Sequence, residues 1–152
     1  MPERTRLPPG TVLIAADDDS GPRLSVKGLA RKLKIDNESC FIFGKTYAEV
    51  KALPDFIIAA GLEYGDGNIV CILDQNMDRY PEGAFLGTRI VSELRDKGFA
   101  GLVFIRSAND SAADVTTYMA SGANGNLLKG ASVEDLRQEL LMKFYCLDSV
   151  QQ

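Results

Sequence analysis

Several polar side chains stand directly after short apolar runs, at the points where buried strands would end. In an open parallel sheet the carboxyl ends of the strands line one crevice, and ligands bind there where the strand order reverses. Carboxylates, a hydroxyl and an ammonium group in that crevice would form a site for a divalent metal ion and a phosphoryl group. These residues are Asp17, Asp18, Asp19, Asp74, Ser107 and Lys129.

The acidic residues carry the strongest signal for a metal ion. Asp74 follows five apolar residues, and burying a carboxylate there is costly unless it is paired or bound to a metal. If the strands before Asp17 and Asp74 are neighbours, their carboxylates and that of Asp18 repel one another, and a hard cation relieves the repulsion. We therefore predict a Mg²⁺ site.

Each residue taken alone has a simpler interpretation. The acidic run at residues 17–19 could serve simply as a helix cap, which stabilises a protein by about 0.5 to 2 kcal/mol. Lys129 could be a solvated turn residue, and Ser107 could form only a local hydrogen bond. Their joint occurrence at strand ends favours a functional site.

Apolar runs of strand length alternate with amphipathic segments of helix length along the chain. We predict strands over residues 12–16, 40–43, 69–73, 102–105 and 126–128. We predict helices over residues 23–33, 86–97 and 110–120, and from Ser132 to about residue 144. A further helix opens at Thr46 with Glu49 as a capping box and is interrupted at Pro54, and residues 61–68 read as a loop.

Strands that alternate with helices indicate an α/β fold. Parallel strands need crossover connections, which are consistently right-handed. The sequence therefore predicts a flavodoxin-like, doubly wound, five-stranded parallel sheet with strand order 2-1-3-4-5 and helices on both faces.

Composition limits the domain organisation and the partners. The 152 residues, 45% hydrophobic and 25% charged, suit one globular domain. We assign residues 1–10 to a tail or linker, 11–145 to the domain and 146–152 to a C-terminal tail. The net charge of -4 and the absence of a basic run predict no direct contact with nucleic acid or membrane. The polar start and the lack of a membrane-length apolar run predict a cytoplasmic protein.

Histidine is absent from the chain, which excludes Ser-His and Cys-His nucleophilic catalysis and zinc-histidine sites. Cys40, Cys71 and Cys146 lie far apart, without the spacing of metal ligands. They indicate structural thiols in a reducing compartment.

In this order and on these elements, Asp17-Asp18, Asp74, Ser107 and Lys129 resemble the receiver domain of two-component response regulators. The resemblance covers about residues 12–141. The local sequences at residues 73–77, around Asp74, and at residues 121–125, before the last strand, are also similar to those of the family.

The resemblance implies a phosphorylation switch, in which Asp74 becomes an aspartyl phosphate. Mg²⁺ would be held by Asp18, Asp74 and the main-chain carbonyl of Asn76, and by Asp17 through a water molecule. Lys129 would pair with the carboxylate and then with the phosphoryl oxygens.

Ser107 would hydrogen-bond a phosphoryl oxygen and move the following loop. Since the chain has no histidine, the phosphoryl group would come from a histidine kinase or a histidine phosphotransfer protein of a phosphorelay. The output would be a downstream effector protein or a covalently linked output or kinase module. We expect the signalling surface on the fourth helix, fifth strand and fifth helix, with Thr117, Ser121, Asn126 and Arg137.

Four positions depart from the pattern of the family. Gly130 follows Lys129 where a proline in a cis peptide is usual, and Asn126 replaces an aromatic residue that rotates on phosphorylation. Residues 78–85 make a longer loop than usual, and the segment 52–68 is also long. The changes at Gly130 and Asn126 bear on the switch more than on the phosphoryl acceptor, whereas the segment 52–68 reads as a surface insertion.

Two other functions stay open at this stage. A degenerate receiver would share the fold and serve as a constitutive docking module. Alternatively, the run at residues 17–20 resembles the motif of haloacid-dehalogenase-type phosphatases, with Asp17 as nucleophile and Asp19 as general acid. That second interpretation lacks a further acidic pair at a strand end and gives Asp74 no role.

Overall fold

The computed structural model describes residues 5–151, with side chains as far as residue 147. Five parallel strands form one sheet in the order β2-β1-β3-β6-β7, and β4 and β5 form a separate antiparallel pair. The strands are β1 Val12–Ala16, β2 Cys40–Phe43, β3 Ile69–Asp74, β4 Asn76–Tyr80, β5 Gly83–Leu86, β6 Leu102–Ser107 and β7 Gly125–Leu128. When the short pair is set aside, this order is the predicted 2-1-3-4-5, so the fold prediction is confirmed.

Helices cover both faces of the sheet because the strand side chains alternate between two apolar layers. On one face Ile14 packs in the same cluster as Leu53 of the second helix, and on the other Leu13 packs with Leu140 of the last helix. None of the described helices is long and apolar enough to cross a membrane. The helices are α1 Ser20–Lys32, α2 Tyr47–Tyr64, α3 Gly87–Asp96, α4 Ala112–Ala120 and α5 Val133–Gln151.

The prediction of a break at Pro54 is wrong, because α2 continues through it to Tyr64. A proline inside a helix removes one main-chain hydrogen bond. Burial of Val50, Leu53 and Ile57 against the sheet stabilises the helix more than that loss weakens it. Gly61, predicted to begin a loop, therefore lies inside the helix, and a 3₁₀ turn at Asp66–Asn68 joins it to β3.

Other element ends also differ from the prediction by a few residues. The first helix begins at Ser20 rather than residue 23, because Asp19 caps it and Pro22 fits the first turn. The fourth strand of the main sheet runs to Ser107 rather than residue 105. The last helix continues past residue 144 to Gln151.

The predicted loop at residues 78–85 is largely the hairpin of β4 and β5, and it folds back over the first two strand-helix connections. The Tyr80 hydroxyl donates to the Gly44 carbonyl at 2.8 Å. Tyr47 of α2 contacts both Tyr80 and Phe85, with ring centroids 6.1 and 4.8 Å away. Met77, a residue of β4, is fully buried. The segment after Asp74 is thus held at the carboxyl edge of the sheet.

Candidate functional site

The predicted acidic residues meet at the carboxyl edge of β1 and β3. These strands are neighbours with Ala16 in register with Leu73, so the residues that follow each strand lie side by side. Asp17, Asp18 and Asp74 each place a carboxylate oxygen within 4.8 Å of the others. The strand order reverses at this point of the sheet, as in other ligand-binding α/β folds.

Lys129 joins the two buried carboxylates. Its Nζ lies 3.0 Å from Oδ1 of Asp74 and 3.2 Å from Oδ2 of Asp17, whose side chains are only 3% and 5% exposed. The main-chain N–H of Lys129 donates to the Ser107 carbonyl at 2.9 Å, which places the lysine beside β6. One cation thus neutralises part of a cluster of three acids.

The buried carboxylates have perturbed acidities. Burial raises the pKa of Asp74 to about 7, the charge of Asp17 adds to the rise, and Lys129 opposes it. Burial also raises the pKa of Asp17. Burial by itself would lower the pKa of Lys129, but its contacts with Asp74 and Asp17 outweigh that effect and raise the pKa. The cluster therefore favours an additional positive charge.

Unlike Asp17 and Asp74, Asp18 hydrogen-bonds the hairpin of β4 and β5. Its Oδ2 accepts hydrogen bonds from the main-chain N–H groups of Asp78 and Arg79, at 2.9 and 3.1 Å. The neighbouring Asp19 caps α1 and forms an exposed ion pair with the Arg79 guanidinium at 3.4 Å. Asp19 is not among the three clustered carboxylates.

Asn76 begins β4, two residues after Asp74. Its main-chain N–H donates to Oδ1 of Asp74 at 3.4 Å. The other oxygen of that carboxylate, Oδ2, is buried and has no hydrogen-bond partner among the described residues. A buried acceptor without a donor is costly, and a hard cation with oxygen ligands would satisfy it. The donor set therefore fits Mg²⁺.

Ser107 is buried at the end of β6, with 3% of its surface exposed. Its hydroxyl donates to the Asn109 carbonyl at 2.6 Å and accepts from the Tyr118 hydroxyl at 3.0 Å. The serine thus points into the loop that leads to α4. No sequence motif pointed to Tyr118, because its proximity to Ser107 depends on how α4 packs.

Arg106 was also not anticipated from the sequence, and it lies in register with Asp74 across β3 and β6. Its guanidinium is buried and donates to the carbonyls of Pro22 and Lys129, at 3.1 and 3.4 Å. Burial lowers its pKa, whereas the charges of Asp17 and Asp74 oppose the change. The sequence feature that could have identified Arg106 is its charge at the end of an otherwise apolar strand.

A separate groove of about 720 Å³ runs between α1 and the edge strand β2. Arg23, Lys27, Arg31 and Lys45 contribute its basic lining. None of the three clustered carboxylates lines it. The candidate site is instead a shallow crevice at the sheet edge.

Solved structures with the same architecture include several receiver domains. The receiver domain of the Francisella response regulator 1452 shares 20% identity over 90% of this chain and 98% of its own, with a TM-score of 0.67. The receiver domain of the Arabidopsis thaliana histidine kinase CKI1, complexed with Mg²⁺ and BeF₃⁻, shares 14% identity over 92% and 91%, also with a TM-score of 0.67. The chain has the receiver-domain fold.

A further neighbour is the signal receiver domain of NarL from Mycobacterium tuberculosis. It shares 21% identity over 92% of this chain and 95% of its own, with a TM-score of 0.60. No protein-family model and no curated protein sequence matches the chain. The likeness is therefore one of three-dimensional structure, and it extends over nearly the whole receiver fold.

The residues expected on a signalling surface lie on α4 and its C-cap, on β7 and on α5. The Thr117 and Ser121 hydroxyls donate to main-chain carbonyls of α4. The Asn126 carbonyl of β7 accepts a hydrogen bond from Lys143. Arg137 pairs with Glu134 within α5. The four residues thus lie on three elements that are consecutive along the chain.

Proposed function

We propose that the protein is a phosphoacceptor receiver, which takes a phosphoryl group from a partner phosphohistidine onto Asp74. One observation carries the proposal: the buried carboxylate of Asp74 contacts Lys129 through one oxygen, and its other oxygen has no hydrogen-bond partner within residues 5–147. A nucleophile with a free oxygen beside a fixed cation suits attack on phosphorus.

The reaction forms one bond and breaks one bond. A carboxylate oxygen of Asp74 attacks the phosphorus, and the bond from phosphorus to the imidazole nitrogen of the donor breaks with its electron pair going to that nitrogen. The product on this chain is an acyl phosphate. Such a transfer depends on positioning and charge neutralisation more than on covalent help from the protein.

Lys129 and Ser107 would stabilise the transferred group. The ammonium group of Lys129 would move its contact from the carboxylate to a phosphoryl oxygen, a charge-assisted hydrogen bond. The hydroxyl of Ser107 would donate to another phosphoryl oxygen. The Arg106 guanidinium donates to the main-chain carbonyl of Lys129 and so helps to hold the lysine in place.

Mg²⁺ would be held by Asp17, Asp18, Asp74 and the main-chain carbonyl of Asn76. When bound, it supplies positive charge that offsets the repulsion between the acids and the incoming phosphoryl group. Two of the proposed ligands also have structural contacts, since Asp18 anchors the hairpin and Asp17 pairs with Lys129.

The partners and location remain part of the proposal. The donor is a histidine kinase or a histidine phosphotransfer protein, and the output is an effector protein or a covalently linked module. The domain comprises residues 11–145, acts in the cytoplasm, and touches neither nucleic acid nor membrane directly. The surface with Thr117, Ser121, Asn126 and Arg137 carries the signal.

Intact-mass measurement with acetyl phosphate tests the phosphoacceptor role. The protein should gain one acid-stable, base-labile phosphoryl group only when Mg²⁺ is present, and Asp74→Asn should gain none. Asp96→Asn, at an exposed carboxylate of α3, is the matched control and should label normally. A gain that persists in Asp74→Asn contradicts the proposal.

A degenerate receiver is the second candidate, and two observations favour it. Asp18 already accepts two main-chain hydrogen bonds, and no cis peptide bond occurs among the described residues to fix Lys129 from the position of Gly130. A folded protein that binds Mg²⁺ but never gains a phosphoryl group would support this docking function.

The phosphatase alternative makes a separate prediction in the same experiment. It requires Asp17 as nucleophile and Asp19 as general acid, but Asp19 caps α1 and pairs with Arg79. Labelling that survives Asp74→Asn and disappears in Asp17→Asn would support the phosphatase.

A further inference from the structure

Tyr118 brings a second hydroxyl to the predicted phosphoryl-sensing serine. The tyrosine lies on α4, is 4% exposed, and places its hydroxyl 3.0 Å from Oγ of Ser107 and 3.4 Å from the carbonyl of Asn109. The Ser107 hydroxyl donates to the same Asn109 carbonyl at 2.6 Å. Two O–H groups and one carbonyl thus form a closed triangle at the start of the loop after β6.

The hydrogen bonds of this triangle have only two protons to share. A serine hydroxyl has one proton, so it cannot donate to a phosphoryl oxygen and to the Asn109 carbonyl at once. Once Ser107 turns away, the buried hydroxyl of Tyr118 loses its acceptor, and a buried donor without an acceptor is costly. The carbonyl that Ser107 has just released is the nearest replacement.

We propose that Tyr118 is a positioning residue that exchanges hydrogen-bond acceptors when Asp74 carries a phosphoryl group. The inference rests on the proposed function of Asp74 and Ser107. Before phosphorylation, Tyr118 donates to Oγ of Ser107. Afterwards Ser107 donates to the phosphoryl group, and Tyr118 donates to the vacated carbonyl of Asn109. Both hydroxyls keep a partner in both states.

The exchange connects the site to the end of α4. The carbonyl of Tyr118 accepts hydrogen bonds from the hydroxyl of Ser121 and from the main-chain N–H of Ala123, which form the turn after the helix. A shift of the tyrosine therefore reaches that turn directly. Asn126 of β7 has no aromatic ring that could sense the position of Ser107. The aromatic side chain that contacts Ser107 is instead Tyr118 of α4.

Tyrosine resonances report the exchange directly. The chain has five tyrosines, and labelling them with ¹³C at Cζ gives a signal that responds to the hydrogen bond of each hydroxyl. The spectrum of Tyr118→Phe identifies the Tyr118 signal by its absence. Beryllofluoride with Mg²⁺ serves as the phosphoryl probe. Tyr64, an exposed residue of α2, provides the internal control signal.

We expect beryllofluoride to shift the Tyr118 signal and to leave the Tyr64 signal in place. In Ser107→Ala the Asn109 carbonyl, at 3.4 Å, is the acceptor that remains for the Tyr118 hydroxyl among the described residues. Its signal should therefore already resemble the bound wild-type signal and should not move with saturating beryllofluoride. If Tyr118 had only a structural role, its signal in Ser107→Ala would not match its signal in beryllofluoride-bound wild type.

Affinity for beryllofluoride gives an independent readout. Because one hydrogen bond replaces another, Tyr118→Phe should change this affinity by less than about twofold. If the Tyr118 hydroxyl instead lost its acceptor when beryllofluoride bound, wild type would bear the cost of a buried, unpaired hydroxyl. Tyr118→Phe lacks that hydroxyl and would bind beryllofluoride about tenfold more tightly. Tighter binding, or an unmoved Tyr118 signal, overturns the exchange.

The two proposals can fail separately. A wild-type protein that neither binds beryllofluoride nor becomes phosphorylated contradicts the phosphoacceptor function, and the exchange with it. A protein that binds beryllofluoride but keeps its Tyr118 signal unchanged contradicts the exchange alone.

Discussion

Oδ2 of Asp18 lies 2.9 Å from the main-chain nitrogen of Asp78, so a residue of the acidic cluster with Asp17 and Asp74 fixes the hairpin of β4 and β5. The same oxygen accepts from the next main-chain N–H, that of Arg79. A carboxylate oxygen bonded in this way is less available to a cation than the free oxygen of Asp74. The proposed binding of a metal ion would therefore be coupled to the position of the hairpin through Asp18.

Asp18→Ala should release the hairpin. The amide protons of Asp78 and Arg79 lose their acceptor and should exchange with solvent at least about fivefold faster, since one hydrogen bond contributes about 1 kcal/mol. Amide hydrogen exchange checks this, and tryptic cleavage after Arg79 should accelerate in parallel.

Asp19→Asn is the matched control for the hairpin. It weakens only the exposed ion pair with Arg79 and keeps a side-chain oxygen to cap α1. Its hairpin amides should exchange at the wild-type rate. Equal acceleration in Asp18→Ala and Asp19→Asn would mean that charge alone holds the hairpin.

The five strands of the main sheet were predictable because each contains a short apolar run that ends at a polar residue or a glycine. The hairpin was not, since residues 76–86 lack a clear alternation of apolar and polar side chains. Pro81 and Gly83 did mark a turn there. Its strands form because Tyr80 and Phe85 pack against Tyr47, a contact that only the tertiary fold creates.

The site was predictable to the extent that its groups sit at strand ends. The convergence of Asp17 and Asp74 follows from neighbouring parallel strands, and their strand register confirms it. The places of Arg106 and Tyr118 could not be predicted in this way. They depend on which carbonyl or hydroxyl comes within reach after the helices pack.

Lys129→Met should destabilise the protein at neutral pH. The change leaves the buried carboxylates of Asp17 and Asp74 without their shared cation, and breaking such a pair costs about 2 to 4 kcal/mol of unfolding free energy. Urea denaturation measures the loss. Added Mg²⁺ should restore more stability to Lys129→Met than to wild type, because the cation replaces the missing charge.

Lys97→Met provides the comparison for a surface ion pair. Lys97 contacts Asp55 and Glu93 at the exposed end of α3, where solvent screens the charges. Its removal should change stability little and leave the response to Mg²⁺ unaltered. Similar losses in both variants would show that the Lys129 contacts contribute no more than a surface pair.

Stability without Mg²⁺ should fall as pH rises from about 4 to about 7. Burial, with the charge of Asp17, raises the pKa of Asp74 from 3.8 to about 7, so the folded state binds a proton that the unfolded state has lost. The stabilising effect of that proton is complete below the unfolded pKa and disappears through the folded pKa. The decline should be on the order of 3 kcal/mol.

Asp74→Asn should remove most of this decline, since the amide does not titrate. Urea denaturation in EDTA at a series of pH values tests this against Asp96→Asn, which should keep the wild-type slope. Burial also raises the pKa of Asp17, so a smaller decline of the same sign should persist in Asp74→Asn. A wild-type slope in Asp74→Asn would mean that another group carries the proton.

Gly87→Ala should disturb the site from the far side of Asp74. The N–H of Gly87 donates to the Gln75 carbonyl at 2.9 Å, which draws the start of α3 against the end of β3. A Cβ on Gly87 would lie 2.5 Å from the Asp74 carbonyl oxygen and 3.0 Å from Cδ1 of Ile105. Because the closest atom belongs to the main chain, relief of the clash requires the backbone of Asp74 to move.

Such overpacking costs about 1 to 3 kcal/mol, and we expect a loss of this size in urea denaturation together with slower labelling by acetyl phosphate. Gly28→Ala is the matched control, because it also adds a methyl group to a helical glycine but meets Val133 at an ordinary 3.5 Å. Alanine favours the helix there, so Gly28→Ala should be as stable as wild type or more so and should label at the normal rate. If both variants behave alike, the close approach of α3 to Asp74 does not constrain that residue.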